Sequence, residues 1–266
     1  MERLRFAGSQ NLVIKKFPAS RSIRLDLYTD RATSRKLKAS FGGTVRPFDA
    51  AGWTPPASTI KDPLRIAGKL RVYRDAKLFA GQRDASGRGR ALLIPSGMAF
   101  GTGEHATTSR CLQLLVEASI PHRQSPKNWS LLDLGCGSGI LALAAEILGA
   151  KKILGVDFDP ACVRIAKENA LKNHLPLTRF RRADVLRWKA ASTHDIVTAN
   201  LYSTILTASS GMISDTVGAG GILILSGILA VEEKSIIGIF ANLGLRHLKT
   251  LKRGKWAAVM LRKNGR

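Results

Sequence analysis

The residues best suited to chemistry lie between Leu131 and Ile140, which read LLDLGCGSGI. Apolar residues lead into Asp133, and Gly135, Gly137 and Gly139 then alternate with Cys136 and Ser138 before an apolar run over residues 141–148. Strand, glycine turn and helix in that order make a site for a nucleotide-type ligand. The glycines let the backbone approach the ligand, and the new helix offers free N–H groups. The next apolar run, ILGVDFD, ends in Asp157 and Asp159. A carboxylate closing a second strand, as Asp157 would, can accept both ribose hydroxyls. Upstream, PSGMAFGTGEHATTSRCL combines a glycine-rich loop over residues 97–103 with one aromatic, Phe100, then His105, Thr107 and Thr108 at a helix start. A threonine there ordinarily serves as an N-cap. The glycines, Phe100 and His105 before it suit a wall that folds over a ligand. His105 fits loop ordering better than general-base work.

The elements that must position these groups follow from periodicity. Residues 131–134 read as a strand and 139–148 as a helix, 153–156 as a strand and 160–173 as a helix with Val163, Ala166, Ala170 and Leu171 on one face. A short strand from Arg179 leads to Asp184, and the strand 195–199 ends at Asn200. One helix is expected over 202–217, a buried strand over 221–225, and a helix over 232–242. Arg253-Gly254 between two alternating stretches is a hairpin signature. This alternation predicts an α/β fold with a mainly parallel, Rossmann-like sheet and an antiparallel C-terminal hairpin. Residues 1–48 read as a small basic α/β recognition domain of two strands and a helix (31–41) stopped by Gly42-Gly43. Residues 49–90 read as a proline-rich linker with connecting strands around Gly68, and 91–266 as the catalytic domain.

Charge bounds the partners. The 266 residues carry 42 Lys and Arg against 19 Asp and Glu, a net +23, and residues 1–90 hold 20 basic against 7 acidic side chains. Such an excess attracts polyanions such as RNA, or acidic proteins; the alternative is a merely soluble basic surface. The cluster Arg179, Arg181, Arg182 and Arg187 reads either way. No apolar run approaches the roughly 20 residues of a bilayer span, so no membrane role is expected. Cys111, Cys136 and Cys162 stand apart, without CxxC or zinc spacing. That predicts buried thiols, a reducing compartment and no metal.

The composite GMAFGTGEHATTSRCL, LLDLGCGSGILALAA, GVDFDP, IVTANL and LSGIL, in this order and spacing, resembles the PrmA family of ribosomal protein methyltransferases, which act on large-subunit protein L-eleven. The resemblance covers roughly residues 63–266. It implies a class I S-adenosyl-L-methionine-dependent methyltransferase with a seven-stranded sheet. It further implies that Thr108 contacts the cofactor from the first loop, with Phe100 counted in the same wall. Gly135 and Gly137 would line the methionine portion, Asp157 would hold the ribose, and Asn200 would sit beside the reactive methyl. Asp184 occupies the place where many class I enzymes meet the adenine. Two departures bear on substrate choice. The N-terminal domain is shorter and more basic than the family's, and the family's Asn-Ile-Leu-Ala is here Asn200-Leu201-Tyr202-Ser203.

The implied function is N-methylation of lysine or α-amino groups on a ribosomal protein, in the cytoplasm, with contact to ribosomal RNA. Another protein lysine, or RNA itself, is the alternative acceptor. A lysine acceptor must first lose a proton, and a dry pocket beside a sulfonium lowers its pKa. The Asn200 carbonyl could then accept an N–H and aim the nitrogen lone pair; capping of the following helix is the plainer role. A nicotinamide dehydrogenase would use a similar turn, but Gly135-Gly137-Gly139 is GxGxG rather than GxGxxG. A non-catalytic RNA-binding module on a retired enzyme fold would not need the glycines, Asp157 and Asn200 intact.

Overall fold

In the computed structural model the described residues are 12–16, 23–27, 31–46, 63–80, 90–95, 103, 105–123, 128–189 and 191–265. The proline-rich stretch and the polar loop over residues 83–89 lie outside them. The chain divides into two compact units, Met1–Thr54 and Pro55–Arg266. In the first, β1 (Leu12–Lys16) pairs antiparallel with β2 (Ile23–Leu27), and α1 (Arg31–Phe41) ends at Gly42 and Gly43, both at positive φ.

The second unit opens with β3 (Leu64–Ile66) and β4 (Leu70–Tyr73), antiparallel around Gly68. After α2 (Ala76–Ala80), β5 (Ala91–Leu93) joins parallel to β4 in a three-stranded sheet. Then come α3 (Ala106–Arg123), β6 (Ser130–Leu134), α4 (Ile140–Ile147), β7 (Lys152–Asp157), α5 (Pro160–Asn173), β8 (Thr178–Arg182) and β9 (His194–Asn200). The chain closes with α6 (Ser203–Ala208), α7 (Ser210–Thr216), β10 (Val217–Leu229), α8 (Glu233–Ala241), β11 (Leu245–Arg253) and β12 (Trp256–Lys263). The large sheet has seven strands in the order β11-β12-β10-β9-β6-β7-β8. The β10–β9, β9–β6, β6–β7 and β7–β8 pairs are parallel; β12 runs antiparallel to both β10 and β11.

Strand alternation sorts the core into two layers. Leu131, Ile196, Ile222 and Ile224 face the layer shared with α3, α4 and α5; Leu132, Leu134, Val197, Leu223 and Leu225 face the other, with α6, α7 and α8. Each fully buried leucine contributes about 1.5–3 kcal/mol. Period-two burial on both faces explains why the central strands read as almost unbroken apolar runs. Among the described residues no helix is long and apolar enough to cross a membrane.

The helix expected over 202–217 is two helices. Ser209 has a non-helical φ of −107° and donates its Oγ to the Ile205 carbonyl at 2.6 Å. A hydroxyl bonding back four residues competes with the helix at that point. The last residue of the expected helix belongs to β10, whose Val217 pairs with His194 before a register irregularity. All three cysteines are buried thiols, and Cys162 is pushed up to about 12 by burial.

One aromatic ring anchors the glycine turn from below. Phe180 on β8 lies beside Gly155 on β7, its register partner, and a side chain at Gly155 would meet the ring at 2.6 Å. The same ring reaches within 2.8 Å of where a side chain at Gly139 would stand. Gly155→Ala should therefore overpack the site and lower stability by about 1–3 kcal/mol in urea unfolding, with Phe180→Leu restoring part of the loss.

Asp133, fully buried on β6, accepts a hydrogen bond from Thr198 Oγ1 on β9 at 2.7 Å, while its Oδ2 has no donor. Burial raises its carboxyl to about 7 against the Thr198 bond. A raised carboxyl favours the folded state at low pH and loses that advantage as pH climbs. Between pH 3.8 and about 7 the protein should lose stability progressively through this group as pH rises. Unfolding measured across that range should show the slope in the parent protein and not in Asp133→Asn.

Candidate functional site

The chain order fixes where a cleft forms. From β6 it winds outward through β7 to β8, then returns to the other side of β6 to form β9 and β10. The carboxyl ends of β6 and β9 therefore lie at the point where the winding reverses, where open α/β sheets place their ligand crevice. The glycine turn and Asn200 sit at those two ends.

Backbone hydrogen bonds hold the glycine turn in place. Gly135 and Cys136 both donate to the Val156 carbonyl, at 2.8 and 2.9 Å, and Gly139 donates to Cys136. Gly135, Gly137 and Gly139 all have positive φ, 72°, 52° and 81°, the region in which only glycine is unstrained. Asp157, 6% exposed, closes the arrangement: its Oδ2 accepts from Gly137 N at 2.9 Å and its Oδ1 from Asp159 N at 3.0 Å. Each carboxylate oxygen keeps a second lone pair for a ligand hydroxyl. Asp159 caps α5 by accepting from Ala161 N at 2.8 Å.

Asn200 and Thr108 are brought together. Asn200 Nδ2 donates to Thr108 Oγ1 at 3.3 Å, and the buried Asn200 Oδ1 has no partner. Asn200 does not cap α6, whose N-cap residue is Tyr202, without a side-chain bond. Leu201 ties this corner to the glycine turn. Its side chain covers Gly135 so closely that any side chain there would overlap it, and its backbone lies against Gly227, leaving no room for a Cβ. Leu201 N also donates to the Ser226 carbonyl at 3.1 Å. One turn further, Glu232 accepts from Ser203 Oγ at 2.5 Å and Leu229 N at 3.2 Å, clamping the loops after β9 and β10 to each other.

The start of α3, with Gly103 before it, borders the third side. Gly103 packs on Leu64 and on Ile140, the first residue of α4. The threonines are not N-caps: both lie inside α3, and His105 takes that place, its Nδ1 within 2.7 Å of Thr107 Oγ1 and accepting from Thr107 N at 3.4 Å. The His105 ring meets Trp256 edge-on at 5.2 Å, and Lys255 lies 5.4 Å over that indole. Burial, then Lys255, lowers the His105 pKa, so the ring is a neutral packing and capping group. Phe100 lies outside the described residues.

Asp184 reaches the same end of the sheet, because Ala183 N bonds the Asp157 carbonyl at 2.9 Å. Its carboxylate is 45% exposed, caps Leu186 N at 3.0 Å and stands 3.9 Å from Arg187. Phe158, directly after Asp157, is 63% exposed, and its carbonyl accepts from Arg182 Nε. Sequence reasoning passed over Phe158, Leu201, Gly227 and the orphan oxygen of Asp133. An aromatic directly after the strand-end Asp157 was a usable signal. The Leu201–Gly135–Gly227 contact had none, since its members come from three separate strand ends.

The geometry gathers a permissive turn, a buried strand-end carboxylate, a carboxamide with a free acceptor and a capped loop around one crevice. The family model described as ribosomal protein L11 methyltransferase (PrmA) matches residues 8–264. A curated ribosomal protein L11 methyltransferase of Geobacter sulfurreducens is 38% identical over 239 residues, 85% of this chain and 73% of that protein. Its counterpart in Pelobacter propionicus is 39% identical over 178 residues, 66% of this chain and 56% of its own length. Among solved structures, a ribosomal protein L11 methylase of Lactobacillus delbrueckii subsp. bulgaricus aligns with a TM-score of 0.64 at 24% identity, covering 77% of this chain and all of that one; it shares the fold. With a family model spanning nearly the whole sequence, the chain belongs to the ribosomal protein L11 methyltransferase (PrmA) family.

Proposed function

We propose that the chain is an S-adenosyl-L-methionine-dependent protein methyltransferase that N-methylates lysine or α-amino groups of ribosomal protein L11. The observation that carries the reading is the buried Asn200 Oδ1, held by the Thr108 bond and left without a donor beside the glycine turn. A buried carbonyl oxygen with no partner costs roughly 1–3 kcal/mol. A site that meets an N–H there recovers that cost.

The residues present fit the cofactor. Asp133 Oδ2, near the carboxyl end of β6, is a buried acceptor without a hydrogen-bond partner, suited to a cationic ligand rich in N–H groups, while Asn200 Oδ1 is left for the acceptor amine. Gly135 and Gly137 would line its methionine portion, Asp157 would take the ribose hydroxyls with its remaining lone pairs, and Asp184 and the exposed Phe158 would flank the adenine. When bound, S-adenosyl-L-methionine supplies an electrophilic methyl on a positively charged sulfur. This chain's own part is positioning. Asn200 accepts an N–H of the neutral amine and aims its lone pair, and Thr108 holds the carboxamide. His105, capping the start of α3 and packed edge-on against Trp256, would shield this side of the pocket from water. An amine with a reference pKa of about 10.4 loses its proton more easily in such a dry, cation-flanked pocket. Alignment of this kind can supply several kcal/mol of the barrier reduction.

Residues 1–48 would recognise the protein substrate, 49–90 would connect, and 91–266 would carry the chemistry in the cytoplasm. The net charge of +23 supports additional contact with ribosomal RNA. The test is methyl transfer from labelled cofactor to unmethylated ribosomal protein L11 and to ribosomal RNA, offered separately. Label is expected in the protein; label in RNA alone would keep the cofactor and overturn the acceptor. Asn200→Ala should lower kcat about 100-fold while the cofactor dissociation constant changes by less than about threefold. Undiminished turnover would remove Asn200 from the mechanism.

A further inference from the structure

Parallel sheets are ordinarily covered on both faces. Here α3, α4 and α5 cover one face along its length, whereas α6, α7 and α8 pack on the other only toward β10, β11 and β12. Over the β7–β8 half of that second face the described residues 183–189 and 191–193 form no helix, and Ala183, Val185 and Trp188 lie against the core. Outside this thin cover the sheet presents cations. Lys152 on β7, and Arg179 and Arg181 on β8, share the parity of Leu154 and Val156, which belong to this layer, and all three are exposed. Arg181 stacks 5.3 Å over the Trp188 ring, and Lys189 follows, also exposed.

The neighbouring carboxylates are engaged elsewhere. Glu146 accepts from Leu177 and Thr178, Asp157 from the glycine turn, Asp195 from Ser130, and Asp184 faces Arg187. None of Lys152, Arg179, Arg181 and Lys189 has a carboxylate at ion-pair distance among the described residues. Unneutralised like charges on one surface repel one another, and an anionic partner relieves that repulsion. We propose that the strip formed by Lys152, Arg179, Arg181 and Lys189 on the thinly covered face of β7 and β8 is a docking surface for the phosphate backbone of RNA. Arginine forks suit phosphate oxygens. The Arg181–Trp188 stack fixes one fork in orientation, an arrangement with less purpose toward a flexible acidic polypeptide. None of its four residues is assigned to the cofactor crevice, and the strip extends the RNA contact of the proposed function to a defined face; it rests on that part of the reading and not on the methyl acceptor.

The experiment is fluorescence anisotropy of the full chain with a labelled single-stranded RNA of about 20 nucleotides, between about 50 and 200 mM salt. Lys152→Glu, Arg179→Glu and Arg181→Glu combined should weaken binding at least tenfold, the three alanine changes less. The alanine variant's log–log salt slope should be shallower by about 2, since three cations no longer neutralise phosphates. A control reversing Arg246, Arg253 and Arg262, on β11 and β12 at the far side of the sheet, should weaken it distinctly less. Thermal melting and cofactor binding establish that each variant is folded. If the parent protein binds no RNA, the RNA contact and the strip both fall. If it binds and the strip variants bind equally well, or the control weakens binding as much, only the strip falls. Displacement by polyglutamate as effectively as by unlabelled RNA would assign the strip to an acidic protein and overturn the proposal.

Discussion

The rest of the site depends on one close approach: Leu201 wedged between two glycines. Its side chain occupies the space of a missing Cβ at Gly135, and its backbone occupies that of a missing Cβ at Gly227. Three strand ends, those of β6, β9 and β10, are thereby drawn to a single point. Because the winding of the sheet reverses between β6 and β9, that point is also the mouth of the crevice. Leu201 is thus a spacer that sets how far the Asn200 carboxamide stands from the glycine turn. Misplacement of reacting groups by about 1 Å can cost two orders of magnitude in rate, so under the proposed mechanism a contact with no chemistry of its own would set the alignment beside it.

A second layer of support lies beneath the turn. Phe180 fills the space over Gly155 and Gly139, and Asp133 and Thr198 join β6 to β9 in a fully buried hydrogen bond. The two devices differ in character. The aromatic fills an apolar gap, while the buried carboxyl leaves Oδ2 without a hydrogen-bond partner. Folding alone is not served by an orphan acceptor in a core. That orphan acceptor and the orphan oxygen of Asn200 are the features on which the proposed function rests.

Periphery and centre obey different rules. The loops after β9 and β10 are clamped to each other through Glu232, and the start of α3 is held by His105 against Trp256. The outer edge at β8 is thinly covered and cationic. Edge strands that carry charge resist pairing with other chains, and the Arg179 and Arg181 side chains do this while leaving their surface open to a polyanion.

By itself the sequence determined the elements whose local signals agree with their burial. The strand, glycine turn and helix around Gly135, the Asp159–Pro160 start of α5, and the terminal hairpin at Arg253-Gly254 are set by backbone sterics and capping, which act over a few residues. The motifs carrying family membership lie in those same segments. Tertiary structure alone decided what depends on distant neighbours. The helix expected over 202–217 broke at Ser209, and the cap of α3, the ordinary role for one of Thr107 and Thr108, fell to His105, itself held by Trp256 some 150 residues away. The meeting of Thr108 with Asn200, 92 residues apart, and of Leu201 with Gly135 and Gly227, needed the sheet to assemble first. The physical reason is range: propensity and capping are read within one turn, whereas close packing joins residues whose separation along the chain carries no information about their separation in space.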